Sequence, residues 1–97
     1  MLIDVPYNKN DTITIKTAAG GDEIVCRFVE EDDHQITITK PMALVATQDG
    51  IGLGPYTFTV DPKSNIKINK SSVVFVHKTE DSMAKQYVQS TTGVALA

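Results

Sequence analysis

The alternation of apolar and polar positions divides the chain into short strands. Thr12–Thr17 places Ile13 and Ile15 on one face and threonines on the other, the pattern of a half-buried strand. Ala18-Ala19-Gly20-Gly21-Asp22 follows with turn chemistry, because glycine accepts a positive φ without strain. Glu23–Glu31 is the second strand, with Ile24, Cys26 and Phe28 on one face and Val25 and Val29 on the other. Apolar residues on both faces mark a central strand, or one whose outer face meets a neighbour. Glu30-Glu31-Asp32-Asp33-His34 makes a charged turn, and Gln35–Lys40 is a third strand with Ile36 and Ile38 inward.

Pro41 interrupts or bulges that strand, and Met42–Thr47 resumes it. Asp49-Gly50 signals a hairpin whose tip carries Gly50, Gly52 and Gly54. Tyr56–Val60 alternates again and reads as the first half of a fourth strand. Asp61-Pro62-Lys63-Ser64 is a turn or bulge, and Ile66–Ile68 and Val73–Val76 flank the tight polar loop Asn69-Lys70-Ser71-Ser72. The pattern then changes period. Thr79 is the expected helix cap, Glu80 and Asp81 suit the first turn, and Met83, Ala84, Tyr87 and Val88 form an apolar stripe. About ten residues of helix do not persist alone, so this one must dock on the sheet or a neighbour.

The expected architecture is all-β dominated: a small, strongly bent, five-stranded open barrel with a short C-terminal α-helix. Residues 1–11 form an extended arm. Residues 12–77 form the barrel, with a Gly-rich hairpin insertion at about 41–60, and residues 78–97 the helix and tail. An open barrel leaves two edge strands, and head-to-tail pairing of edges closes into a ring if the rotation allows.

Composition narrows the chemistry. The 97 residues suffice for one core, and 41% hydrophobic with 22% charged side chains is ordinary for a globular chain. No apolar run reaches the roughly 20 residues that span a bilayer, and Met1-Leu2-Ile3-Asp4 has no basic n-region, so neither a membrane segment nor a signal peptide is expected. Cys26 is the only cysteine and there are two histidines, His34 and His77, too few for an internal disulfide or a zinc site. Cys26 lies within an apolar alternation and reads as a core residue rather than a nucleophile. A reducing cytoplasm is the expected location.

The net charge of −3 argues against a general nucleic-acid coat, yet it is unevenly spread. Residues 1–61 carry four basic and ten acidic side chains; residues 62–97 carry five lysines against two acids. The four acids Glu30–Asp33 alternate in direction, so they do not converge on one cation and read as a solvated turn. Gly50–Gly54 lacks both the following helix and the Gly-Lys-Ser/Thr ending of a phosphate loop. No catalytic triad, metal cluster or cofactor signature is present, so an enzyme is not expected.

The order of these elements resembles the Sm-like family (Sm, LSm and the bacterial Hfq proteins). Its first motif, an alternating strand, a Gly turn, a second strand, an Asp-containing turn and a third strand, is matched by Thr12–Lys16, Gly20-Gly21, Ile24–Val29, Asp32–Gln35 and Ile36–Ile38. Its second motif, two short strands around a polar loop, is matched by Ile66–Ile68, Asn69–Ser72 and Val73–Val76. The Gly-rich insertion and C-terminal helix look most like divergent Sm-like proteins of tailed phages of marine cyanobacteria. The family's N-terminal helix has no counterpart, its Met-Asn is His34-Gln35 here, and its Arg-Gly is Asn69-Lys70.

The resemblance implies a homo-oligomeric ring of about five to seven subunits that binds single-stranded RNA, pyrimidine- or A-rich, near its pore. By position, His34 would stack on a base, Gln35 would read a base edge and Asp33 would buttress the turn. Asn69 and Lys70 would meet base or phosphate, with Lys67 and Lys63 nearby. The competing reading is that His34 and Gln35 are ordinary exposed turn residues and that the ring serves a structural or protein-interaction role. The acidic balance, the missing Arg-Gly and the apolar Gly-rich hairpin favour it.

Overall fold

The computed structural model describes residues 7–57 and 59–91. Its strands are β1 (Thr12–Thr17), β2 (Glu23–Glu31), β3 (Gln35–Thr47), β4 (Gly50–Pro55), β5 (Ile66–Asn69) and β6 (Val73–Lys78). A single 3-10 turn, Lys70–Ser72, joins β5 to β6, and one helix, α1 (Asp81–Thr91), follows. The strands form one antiparallel sheet in the order β4-β3-β2-β1-β6, with β5 also on β3.

β3 is the longest strand because it serves two partners in succession. Its first part, Gln35–Ile38, pairs with β5, and its second part, Met42–Thr47, pairs with β4. Between them lies a bulge. Val25 faces Met42 and Arg27 faces Thr39, so β3 carries one residue more than β2 across this step. Lys40 absorbs it in the left-handed region, at φ 54. The segment before β5 crosses at this point: Lys40 N–H donates to the Pro62 carbonyl at 2.7 Å, and Thr39 Oγ1 donates to the carbonyls of Lys63 and Ser64, each at 3.1 Å. Pro41 therefore bends a continuous strand. A second bulge falls at Val29, where Phe28 faces Ile38 and Glu30 faces Thr37. Together the two bulges bend the sheet around its interior.

That interior is the alternation made physical. Ile13, Ile15, Ile24, Cys26, Phe28, Ile36 and Ile38 form one buried cluster, with Ile66, Ile68, Val73 and Val76 packed against it. Each buried isoleucine contributes about 1.5–3 kcal/mol relative to an exposed one. Burial pushes the Cys26 thiol pKa upward, so it stays protonated and behaves as a small apolar residue. Val25, next to Ile24 and Cys26 but on the opposite face, is also buried. β2 is thus the central strand that its two-faced pattern implied. Tyr87 of α1 is fully buried, and its hydroxyl donates to the Lys40 carbonyl at 2.6 Å, tying the helix to the β3 bulge.

Three expectations need correction. Among the described residues there are six strands rather than five, and the fourth is Gly50–Pro55, not Tyr56–Val60. The two-residue turn Gln48-Asp49 returns the chain at once, so Gly50 meets Thr47 and Pro55 meets Met42. Tyr56 and Thr57 lie outside any strand, Thr57 Oγ1 donates to the Val60 carbonyl at 3.1 Å, and Phe58 lies outside the described residues. The helix cap is Glu80, whose carboxylate accepts from the amides of Ser82 and Met83 at 3.1 and 3.0 Å. Thr79 instead is buried, with its hydroxyl 2.9 Å from that of Thr14. Within the arm, Tyr7 packs edge-on against Phe28 at 4.8 Å between ring centroids. Residues 1–6 of the arm and 92–97 of the tail lie outside the described residues. Among the described residues no helix is long and apolar enough to cross a membrane.

Candidate nucleic-acid interface

Two polar turns meet at one end of the sheet. The first, between β2 and β3, is built by Asp32. Its Oδ1 accepts from the amides of His34 and Gln35, each at 2.7 Å, and its own N–H donates to the Gln35 carbonyl at 2.9 Å. These amides, His34 first, hold the Asp32 carboxyl below its ordinary pKa. The buttress is therefore Asp32 rather than Asp33, because only the residue two before His34 can reach both amides. Asp33 is exposed at the apex of the turn.

The second turn is the 3-10 segment. Asn69 caps it: its side-chain oxygen accepts from Ser71 N–H at 2.9 Å, and its carbonyl accepts from Ser72 Oγ at 2.8 Å. Asn69 itself is exposed. Pairing of β5 with β3 sets Asn69 opposite Gln35, and Lys70 N–H donates to the His34 carbonyl at 2.8 Å. His34, Gln35, Asn69 and Lys70 are thus held side by side by backbone bonds, although 35 and 69 are far apart in sequence. Lys67 sits opposite Thr37 and, with Glu30, Glu31, Asp32 and Gln35, lines a small polar cavity of about 170 Å³. Lys63 lies elsewhere, beside the Lys40 bulge.

The side chain of Lys70 is already engaged. Its ammonium lies 3.1 Å from Glu31 Oε2, and Glu31 Oε1 accepts from the Tyr7 hydroxyl at 2.9 Å. Neither Glu31 nor Tyr7 stood out in the sequence, since one lay inside an acidic run and the other alone in a polar arm. The chain Tyr7–Glu31–Lys70 holds the ammonium against the sheet end. It also makes the surroundings of the two lysines acidic, through Glu30, Glu31, Asp32 and Asp33. A ligand here is better met by base edges and ring faces than by phosphate charge.

Burial, and then the Glu31 carboxylate, raise the Tyr7 phenol from 10.0 to about 12. The raised group favours its protonated form in the fold. Its contribution is complete below pH 10 and is lost as pH rises towards 12. Urea midpoints should therefore fall more steeply across that window in the native chain than in Tyr7→Phe. Parallel pH profiles would show that the phenol makes no such contribution.

Among the described residues no three His, Cys, Asp or Glu side chains converge as metal ligands. His77 turns away from the site and places Nδ1 2.8 Å from the Lys78 carbonyl. Fold and site together define a small antiparallel β protein with a bent sheet, one docked helix and two polar turns joined at one end. No family model matches the chain, and no curated protein matches it.

Proposed function

We propose that the chain is an Sm-like, SH3-like barrel protein that assembles into a homo-oligomeric ring and binds single-stranded RNA through the joined turns. The observation that carries this reading is the juxtaposition of His34 and Gln35 with Asn69 and Lys70, fixed by the Lys70–His34 backbone bond at 2.8 Å. An imidazole offers a flat π surface, the Gln35 amide offers a donor and an acceptor, and Asn69, whose oxygen is held by Ser71, offers its amide nitrogen as a donor, which suits unstacked bases. The path β6-β1-β2-β3-β5, joined end to end by one 3-10 turn, supports the barrel reading.

Exposed apolar edges support the ring. Val74 is 62% and Phe75 44% exposed on β6, and Ile51 is 63% exposed on β4. Both strands end the sheet with unpaired backbone groups, which a second copy could satisfy head to tail. Repetition around a ring would multiply a weak single site.

The test is native mass spectrometry with short U-rich and A-rich RNAs at moderate salt. A closed oligomer that gains one RNA mass is the expected result. His34→Ala should lower affinity by about 1–3 kcal/mol, the cost of a lost stacking contact. Lys70→Ala should lower the salt slope by ~0.7 if the lysine meets one phosphate. Equal binding by both variants and the native chain would remove this site.

A second reading, a ring with a structural or protein-binding role and no RNA site, is favoured by one observation. Lys70 is held by Glu31, within an acidic surround. A ring that ignores both RNAs would select it.

A further inference from the structure

A second concavity lies beside the β3 bulge, away from the joined turns. It has a volume of about 230 Å³. Pro41, Met42, Pro55 and Tyr56 give it apolar walls, the last turn of α1 closes one side, and Lys40 and Lys63 stand at its margin. Among the described residues no acidic residue lines it, the nearest in sequence being Asp61, whose Oδ1 accepts from the Lys63 amide at 2.9 Å, and the one ion pair, Lys70 with Glu31, is elsewhere.

We propose that this pocket binds a small organic anion with a flat apolar body, such as an aryl phosphate or aryl carboxylate. The size fits one ring and one anionic group, since drug-sized ligands take roughly 300–1,000 Å³. Prolines and an aromatic ring make rigid, flat walls, and Lys40 and Lys63, neither in an ion pair among the described residues, supply the charge that an anion needs.

The backbone keeps this pocket formed in advance. Lys40 occupies the left-handed region at φ 54, a conformation that costs a lysine energy. It is held there from two sides, by its N–H to the Pro62 carbonyl at 2.7 Å and by the Tyr87 hydroxyl to its own carbonyl at 2.6 Å. A bulge of this kind re-aims the side chain it carries. Without the extra residue, strand alternation would continue unbroken through Lys40 and Pro41, and Lys40 and Met42 would keep their regular positions along β3. Pre-organised walls lower the ordering cost of binding.

Phenyl phosphate is the probe, followed by the Met42 methyl resonance in carbon–proton correlation spectra of the full chain. A saturable shift of that methyl is expected. Benzyl alcohol and inorganic phosphate, which each supply half of the chemistry, should bind at least about tenfold more weakly, the loss expected for one missing charged contact. Lys63→Gln, at an exposed position, should weaken phenyl phosphate by roughly tenfold, and Lys40→Gln should do the same. The proposal is overturned by an unmoved Met42 methyl at millimolar probe. It is equally overturned by benzyl alcohol binding as well as phenyl phosphate, by unchanged affinity in Lys63→Gln, or by a methyl shift that follows protein concentration alone, which would mean that a second copy covers the pocket.

Discussion

Tyr87→Ala is expected to cost about 3–5 kcal/mol of folding stability, the range for truncating a fully buried aromatic residue. The side chain is the one wholly buried group of α1, and its hydroxyl ends on the Lys40 carbonyl. Its loss removes both the helix's anchor and one of the two bonds that hold the bulge. Tyr87→Phe keeps the ring and should cost only about 1 kcal/mol, one hydrogen bond. Urea denaturation of the three proteins separates the two contributions. If Tyr87→Phe were as damaging as Tyr87→Ala, the bond rather than the packing would hold the helix. If neither mattered, α1 would not be part of the cooperative unit.

The second large effect concerns assembly. Val74 is the most exposed apolar residue on β6, so Val74→Asp adds a charge that a single chain tolerates in water. The same carboxylate in a strand-to-strand interface would be desolvated without a partner, a cost of several kcal/mol at every contact of a ring. The expected product is a soluble, folded monomer with an unchanged far-ultraviolet spectrum. An unchanged oligomer by native mass spectrometry would place the interface elsewhere. An insoluble protein would mean that the side chain is needed within the fold itself.

How much of this was legible in the sequence depends on what each segment uses to hold its shape. β1 and β2 have the limits their alternation gave, and Gly20 and Gly21 do adopt positive φ, 81 and 66. Their signals are local: side-chain period and glycine's freedom. β4 was misplaced because it has almost no side-chain signal. Three of its six residues are glycine, and it is a strand through backbone pairing set by the turn at Gln48-Asp49. Tyr56–Val60 had the better alternation and the wrong neighbours. Thr79 had the better cap chemistry, but its hydroxyl is used by Thr14, which left the cap to Glu80.

The same division holds at the joined turns. His34, Gln35, Asn69 and Lys70 were grouped in the sequence only through the Sm-like resemblance, which places the two motif loops together. The Glu31–Lys70 pair was not, because it spans 39 residues and depends on which way two side chains lean after β5 has found β3. The pocket beside Lys40 was unreadable for a similar reason. It needs a bulge, a crossing loop and a helix end to arrive together.

The sequence separation of the paired strands also bears on the order in which the chain folds. β1 with β2, β2 with β3, and β3 with β4 are neighbours in sequence, and each closes through a short turn within microseconds to tens of microseconds. The β1–β6 seam, with Thr14 and Thr79 bonded across 65 residues, has no such shortcut. Docking of β5 on β3 shortens the loop that the β1–β6 pairing must close, so that order is the less costly one. Closure of that seam is then expected to be the slow step, and stopped-flow refolding on the millisecond-to-second scale of proteins rich in distant strand pairings would show it. Until it forms, one side of β1 stays open and the isoleucines beneath it remain accessible to any other strand.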